Sequence, residues 1–162
     1  LLRGPQMFGG YFRDPGRTGE AVTDDGFLRT GDLARRHEDG AFEICGRRTS
    51  MFISGGENVF PAEVEAALGG HEAVEEIVVV SRPHRTWGEV GHAFVVPAGG
   101  RPDDRPPDGA AILAAARERL AKYKVPRGVT FLDELPRLGS GKPDRAALER
   151  RAREEAETEE QP

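Results

Sequence analysis

The sequence has little cysteine and no long apolar run, and each shortage excludes a class of protein. Its single cysteine, Cys45, cannot form a disulfide within the chain and cannot supply a zinc site built from several cysteines. No apolar stretch approaches the roughly 20 residues that span a bilayer. The first ten residues also lack the basic start and apolar stretch of a secretory signal. These absences predict a cytoplasmic protein without a membrane span.

An excess of positive charge is also missing. The chain has 23 lysines and arginines against 28 acidic residues, a net charge of −5, which argues against general binding to nucleic acid or to an anionic membrane. Its 162 residues allow one domain or two small ones, and a hydrophobic content of 37% supports a modest core. The chain opens with Leu1 rather than Met, so we expect it to have been cut from something longer or to have lost its beginning.

Residues 1–46 have the turn chemistry of β-hairpins. Asp-Gly pairs at residues 25–26 and 39–40 stand between short alternating runs, and glycine accepts the positive φ of a tight turn. We expect residues 33–37 to pair with residues 41–45. A β segment of this size buries too little surface to be stable alone. It therefore resembles the edge of something larger.

After Gly46 the pattern alternates between helix and strand. Pro61 suits the first turn of a helix over residues 62–68, and Asp108 suits the cap of a helix running to about residue 123. A third helix is predicted from residue 144 to about residue 157. The predicted strands are buried, because their apolar residues are nearly continuous: 74–81, 91–96 and 128–132. Residues 97–108 are a predicted linker and residues 159–162 a disordered end. Three strands and three helices make a small α/β or α+β domain, and the fold we expect is α+β, with a three-stranded sheet and about three helices.

Two motifs each leave two interpretations open. The run Gly139-Ser140-Gly141-Lys142 is no Walker A motif, because Pro136 replaces its first glycine and Pro143 follows the lysine. It is either an ordinary surface loop or a flexible loop that delivers a mobile lysine to a phosphate or carboxylate. Thr30-Gly31-Asp32 is either a capped turn or a carboxylate placed to accept ribose hydroxyls. The four histidines have no metal-ligand spacing, so no metal site is predicted.

Taken in order, the motifs resemble the adenylate-forming, AMP-binding enzymes, and most closely their acyl-CoA synthetase branch. The resemblance extends from Gly10 to about Arg150 and is carried by the following runs: TGD at 30–32, GRR at 46–48, ISGGENVFPAEVE at 53–65, KYKVP at 122–126 and LPRLGSGK at 135–142. It implies that residues 1–46 are the last β segments of a large AMP-binding domain and that 47–50 form a hinge. It further implies that 51–150 form a small C-terminal domain and that 151–162 form a charged tail.

The resemblance implies a two-step ligase reaction. A carboxylic acid attacks the α-phosphate of ATP to give an acyl-adenylate and pyrophosphate, and the CoA thiol then displaces AMP to give a thioester. The small domain swings between two poses, one for each step. Among the residues, Lys142 matches the catalytic lysine of adenylation, Asp32 the acid that binds the ribose hydroxyls, and Arg47 a basic residue at ribose and phosphate. Asn58 matches a position near the nucleotide.

Further positions match the CoA channel and the hinge. Gly55 and Gly56 match a loop that lines the pantetheine tunnel, where backbone without side chains permits close approach. Thr49 stands at the hinge, where Asp or Lys is usual, and Ser50 follows where an acid is common. Pro143 replaces the usual β-branched residue after the lysine and would stiffen that side of its loop.

The implied ligands are ATP, CoA and Mg²⁺, the last held with ATP mainly by protein outside these residues. The implied partners are a carboxylic acid and the missing N-terminal domain of the same protein, and nucleic acid is not among them. Since the phosphate loop and the acyl pocket lie elsewhere, we expect this chain alone to make no acyl-CoA. Two alternatives remain: a free-standing, non-catalytic module that docks on a partner carrying those sites, and an adenylating domain that loads a carrier protein.

Overall fold

The computed structural model describes residues 1–99 and 108–159, the side chain of Glu159 excepted. Most of the predicted linker and the end of the predicted tail lie outside the described residues. The chain divides into two compact units, Leu1–Thr49 and Ser50–Pro162. This division falls within the predicted hinge at 47–50, and the hinge itself stays a prediction.

The first unit contains the hairpin predicted for it. Strand β1 (Asp32–Arg36) pairs antiparallel with β2 (Phe42–Arg47), with Arg36 opposite Phe42 and the His37 N–H donating to the Ala41 carbonyl at 2.9 Å. The Asp-Gly pair at residues 39–40 makes the turn, as expected.

A short helix in the first unit was not predicted. Helix α1 (Pro15–Ala21) begins after Asp14, whose carboxylate accepts the Arg17 N–H at 2.9 Å, and Pro15 occupies its first turn. None of residues 1–49, all of which the structure describes, is fully buried. Phe42 and Ile44 of β2 remain 68% and 64% exposed. This agrees with the expectation that the segment cannot bury a core by itself.

The second unit is built on a five-stranded sheet, not a three-stranded one. Its strands are β3 (Phe52–Ser54), β4 (Glu57–Val59), β5 (Val74–His84), β6 (Gly88–Pro97) and β7 (Gly128–Phe131). Strand order is β4-β3-β6-β5, and β7 pairs parallel with β6. The three predicted strands correspond to β5, β6 and β7. The hairpin of β3 and β4 was not predicted. The apolar run before the glycine pair is too short to show the alternation of a strand.

Three helices pack on this sheet, as predicted: α2 (Pro61–Leu68), α3 (Gly109–Arg119) and α4 (Arg145–Glu159). Asp108 caps α3 by accepting the Ala110 N–H at 2.9 Å, and the helix ends at Arg119, about four residues earlier than expected, because Leu120 turns to extended backbone. Within the described residues, no helix combines the length and apolar character needed to cross a bilayer.

The core lies on both faces of the β5–β6 hairpin, which explains its nearly continuous valines. Val79, Ala93 and Val95 face α2 and α3, while Val78, Val80 and Phe94 face α4. The first cluster is completed by residues that include Val64, Leu68, Ile112 and Ala116, and the second by residues that include Leu132, Leu135, Leu148 and Ala152. The result is a sheet covered by two helices on one face and one on the other.

Strand β5 lies at the edge of the sheet, and two side chains cover its backbone at Val79. The Glu65 carboxylate accepts the Val79 N–H at 2.8 Å, and the Arg145 guanidinium donates to the Val79 carbonyl at 2.9 Å. Glu65 and Arg145 also pair with each other at 2.7 Å. These contacts replace a neighbouring strand at the edge and fasten α2 and α4 to β5.

Candidate functional site

In the first unit, the structure brings together two residues that the sequence assigns to nucleotide binding. Asp32 lies opposite Arg47 in the β1–β2 ladder, and the Arg47 Nε donates to the Asp32 carboxylate at 2.9 Å. Arg47 also donates to the Thr30 carbonyl at 2.6 Å. The Asp32 side chain is 29% exposed and that of Arg47 62%, so both reach solvent. Together they offer a carboxylate acceptor and a guanidinium donor side by side.

An open cleft of about 520 Å³ lies beside this pair, entirely within the first unit. Thr30, Gly31 and Asp32 form part of its wall. Tyr11 and Arg17 contribute on the other side, with the Arg17 guanidinium 4.2 Å from the centre of the Tyr11 ring. Sequence reasoning did not select these two residues for the site, because their proximity to Asp32 depends on the unpredicted helix α1.

Gly55 and Gly56 form the two-residue turn between β3 and β4. Both have positive φ, +60° and +90°, as a type I′ hairpin turn requires. The Gly55 N–H donates to the Trp87 carbonyl at 2.9 Å, and a Cβ built at Gly55 would overlap the Trp87 ring. A Cβ built at Gly56 would meet nothing within 4 Å. The absent side chain at Gly55 therefore accommodates Trp87, which the sequence analysis did not assign to a site.

The Trp87 ring lies beside one of a group of basic side chains. The Arg127 guanidinium lies 5.2 Å from the ring centre. Arg127 also lines a cavity of about 390 Å³, which Leu113, Arg117, Leu120, Lys122, Val125 and Pro126 complete. The cavity combines apolar walls with three cationic side chains. It offers a site for an anion that carries an apolar or planar group.

Asn58 is exposed on β4, where it lies opposite Ile53 in the ladder. It belongs to the second unit, whereas Asp32 and Arg47 belong to the first. In residues 1–99 and 108–159, no three side chains of His, Cys, Asp or Glu lie close enough together to hold a metal ion. The roles of all these residues stay predictions.

Lys142 lies in a hydrogen-bonded hairpin loop, residues 137–143, which we call the Lys142 loop. The Leu138 N–H donates to the Lys142 carbonyl and the Gly141 N–H to the Leu138 carbonyl, each at 2.8 Å. The Asp144 N–H donates to the Pro136 carbonyl at 2.7 Å just below the loop. The Lys142 side chain is exposed and makes no hydrogen bond or ion pair to any described residue. Backbone hydrogen bonds therefore close the loop, and the flexibility considered from its glycines stays a prediction.

The fold and these sites define a class of protein. Residues 63–142 match the family model of the AMP-binding enzyme C-terminal domain. The matched residues all lie in the α+β second unit, which therefore contains an AMP-binding enzyme C-terminal domain.

Similar proteins place the chain more narrowly beside the CoA ligases. It is 46% identical over 93% of its length to a feruloyl-CoA synthase of an Amycolatopsis species, and 45% identical to a 2-succinylbenzoate–CoA ligase of Geobacillus kaustophilus. It also resembles the structure of an o-succinylbenzoate CoA synthetase of Bacillus subtilis in complex with its acyl-adenylate, with 37% identity and a TM-score of 0.79 over 90% of this chain. The chain spans about 30% of these two ligases and 29% of the structure.

Proposed function

We propose that the protein to which these residues belong is an ATP-dependent acid–CoA ligase. A carboxylate oxygen of the acid forms a bond to the α-phosphorus of ATP, and the bond from that phosphorus to pyrophosphate breaks. The CoA thiolate then forms a bond to the acyl carbon, and the bond from that carbon to AMP breaks. The products are acyl-CoA, AMP and pyrophosphate.

The observation that carries the proposal is the exposed Lys142 on its hydrogen-bonded loop. Adenylation joins an anionic carboxylate to an anionic phosphate, so negative charge accumulates between them in the transition state. A fixed ammonium group stabilises that charge more than it stabilises the separated reactants. Because its side chain is exposed and makes no hydrogen bond or ion pair to any described residue, Lys142 is available for this role. Pro143 restricts the backbone immediately after it.

The pair Asp32 and Arg47 supports nucleotide binding. A carboxylate accepts hydrogen bonds from the two ribose hydroxyls, and a guanidinium binds a phosphate through paired N–H groups. Their contact at 2.9 Å holds the two side chains beside each other before a ligand arrives. Mg²⁺ would enter bound to the ATP phosphates, and Asn58 is the candidate in the second unit for a nucleotide contact.

The glycine turn and the basic cavity support CoA binding. Gly55 and Gly56 leave backbone uncovered for a slender chain such as pantetheine, and the Trp87 ring packs directly on that turn. Arg127 links the ring to the cavity with its three cations. CoA combines a thin pantetheine arm with a phosphorylated nucleotide. The glycine turn suits the arm, and the cationic cavity suits the phosphates.

The test separates the two half-reactions in the protein that contains this chain, expressed at its full length. Acid-dependent exchange between ATP and pyrophosphate measures adenylation, with acids such as ferulate, 2-succinylbenzoate and indoleacetate as the first panel, from the relatives' names. Transfer to CoA from a synthetic acyl-adenylate measures thioester formation.

Lys142→Ala is expected to lower the adenylation rate by about 10²–10³-fold, the range typical for one group that stabilises transition-state charge, and to leave CoA transfer within about threefold. Arg153→Ala, which removes one exposed cation from α4, is the matched control and should change neither rate. No acid-dependent exchange in the unchanged protein with any acid of the panel, together with no CoA transfer, would contradict the proposed function. Unchanged exchange in Lys142→Ala would contradict the role of Lys142.

A further inference from the structure

One guanidinium joins the Lys142 loop to the sheet. Arg137 Nη1 donates to the Gly141 carbonyl at 3.0 Å, and Arg137 Nη2 donates to both oxygens of Glu76 at 2.7 and 2.5 Å. Glu76 belongs to β5, 61 residues earlier in the chain. The loop therefore has a fixed attachment to the central hairpin of the second unit, besides its internal hydrogen bonds.

Arg137 is attached to the loop at Gly141, the residue directly before Lys142. The Gly141 carbonyl belongs to the peptide group that Lys142 completes with its own nitrogen, so restraining this oxygen restrains the plane of that peptide. The Lys142 carbonyl is restrained in turn by the Leu138 N–H. The backbone of Lys142 is thus held on both sides, which fixes the position of its Cα and the direction of its Cα–Cβ bond.

Arginine is suited to this arrangement in a way that lysine is not. Its planar fork presents separate N–H groups in fixed directions, so one group can serve Gly141 while another serves Glu76. A lysine at 137 would keep the charge but would direct its three donors from a single nitrogen. The carboxylate and guanidinium are 39% and 42% exposed, so their contribution to overall stability is small. Such an exposed pair can still fix the position of the groups that it joins, here the Gly141 carbonyl and strand β5.

We propose that Arg137, oriented by Glu76, is a positioning residue that sets where Lys142 meets the reacting phosphate and carboxylate. This inference rests on the proposed function of Lys142. Misplacement of a catalytic group by about 1 Å costs up to about a hundredfold in rate. Releasing the loop therefore affects adenylation and leaves thioester formation, in which Lys142 takes no part, unchanged.

The experiment compares Glu76→Gln and Arg137→Lys with Glu75→Gln in the full-length protein. Glu75 is the exposed neighbour on the same strand, so its change removes an equal charge without touching the loop. Both half-reactions are measured as described for Lys142→Ala. Amide hydrogen exchange of the peptide covering residues 137–143 reports on the order of the loop.

The expected result is an adenylation kcat about tenfold or more lower in Glu76→Gln and Arg137→Lys, with the KM for ATP and the rate of CoA transfer within about twofold. The 137–143 peptide should exchange faster in both, and Glu75→Gln should match the unchanged protein. In a Lys142→Ala background, Arg137→Lys should cause no further loss, because Arg137 acts through that lysine.

Either of two results would overturn the inference: a normal adenylation kcat in both variants, or an equal loss in both half-reactions, which indicates general damage. These results differ from a failure of the proposed function itself. If the unchanged protein shows neither exchange nor CoA transfer, the proposed function fails and this inference with it. If Lys142→Ala keeps full exchange, the role of Lys142 and this inference fail while the ligase function stands. If Lys142→Ala is inactive in exchange while Arg137→Lys is normal, this inference alone fails.

Discussion

The two glycines of the β3–β4 turn should respond differently to the same added methyl group. Both have positive φ, so alanine at either position adopts a left-handed backbone that costs about 1–2 kcal/mol. At Gly56 the methyl group meets open space. At Gly55 it meets the Trp87 ring, so either the ring or the turn must move.

The expected free energies of unfolding follow from these contacts. Gly56→Ala should lose about 1 kcal/mol, because the reduced freedom of the unfolded chain offsets part of the backbone cost. Gly55→Ala carries the same backbone cost and adds an overpacking cost of about 1–3 kcal/mol. The total for Gly55→Ala is therefore about 2–4 kcal/mol, and the difference between the two variants isolates the contact with Trp87.

Urea unfolding of the chain measures both variants. Trp87 is the only tryptophan in the sequence, so its fluorescence reports unfolding at the turn itself. Circular dichroism follows the same transition in variants without the ring. A change in midpoint at constant slope gives the change in stability directly.

A third variant tests the cause. In a Trp87→Ala background the ring is gone, so Gly55→Ala should cost no more than Gly56→Ala does in the original chain. Equal destabilisation by Gly55→Ala and Gly56→Ala would refute the reasoning, and so would an undiminished cost of Gly55→Ala after the ring is removed.

Two other contacts give predictions of their own. Glu65→Ala should lower the free energy of unfolding by about 2 kcal/mol because it leaves the Val79 N–H without its acceptor and Arg145 without its carboxylate. Glu63→Ala, which breaks only the more exposed pair with Lys124, should cost less than about 1 kcal/mol, and equal costs in urea would contradict the edge-strand argument. Arg127→Gln should raise the KM for CoA about tenfold and leave the KM for ATP unchanged in steady-state assays, and a parallel rise in both would contradict the CoA assignment.

The central hairpin could be predicted from the sequence because its signal is local and strong. The valines from Val74 to Val80 fill both faces of β5, so a nearly continuous apolar run indicates a strand covered on two sides. Pro61 and Asp108 similarly mark their helix starts by local chemistry. In each case the residues that decide the structure are neighbours in the chain.

The missed elements depend on weaker or more distant signals. Helix α1 contains Gly16 and Gly19, which lower its helix propensity, and only Asp14 with Pro15 marks its start. The β3–β4 hairpin has three-residue strands, too short to show a period. Yet its Gly55-Gly56 pair is a recognised hairpin signal that could have revealed it.

The candidate site shows the same limit. The sequence selects Lys142 by its motif, but the attachment of its loop to β5 is made by the ion pair between Arg137 and Glu76, which are 61 residues apart. Residues so far apart in the chain come together only once β5 and the loop are packed. The glycines around Lys142 therefore favour a flexible loop when they are considered without that partner.

The two candidate sites of the second unit lie toward opposite ends of the β5–β6 hairpin. The Lys142 loop is attached to β5 at Glu76, whereas the turn at Gly55 lies beside Trp87 at the far end of the β5–β6 hairpin, where His84 pairs with Gly88. From Glu76 to His84 the strand advances eight residues, or about 27 Å. In the middle of this stretch Val79 packs into the core on one face of the sheet, and Val78 and Val80 pack into the core on the other. If Lys142 serves one step of a ligase reaction and the glycine turn serves the other, a separation of this order requires the unit to turn between the two steps. That requirement supports the hinge proposed at residues 47–50.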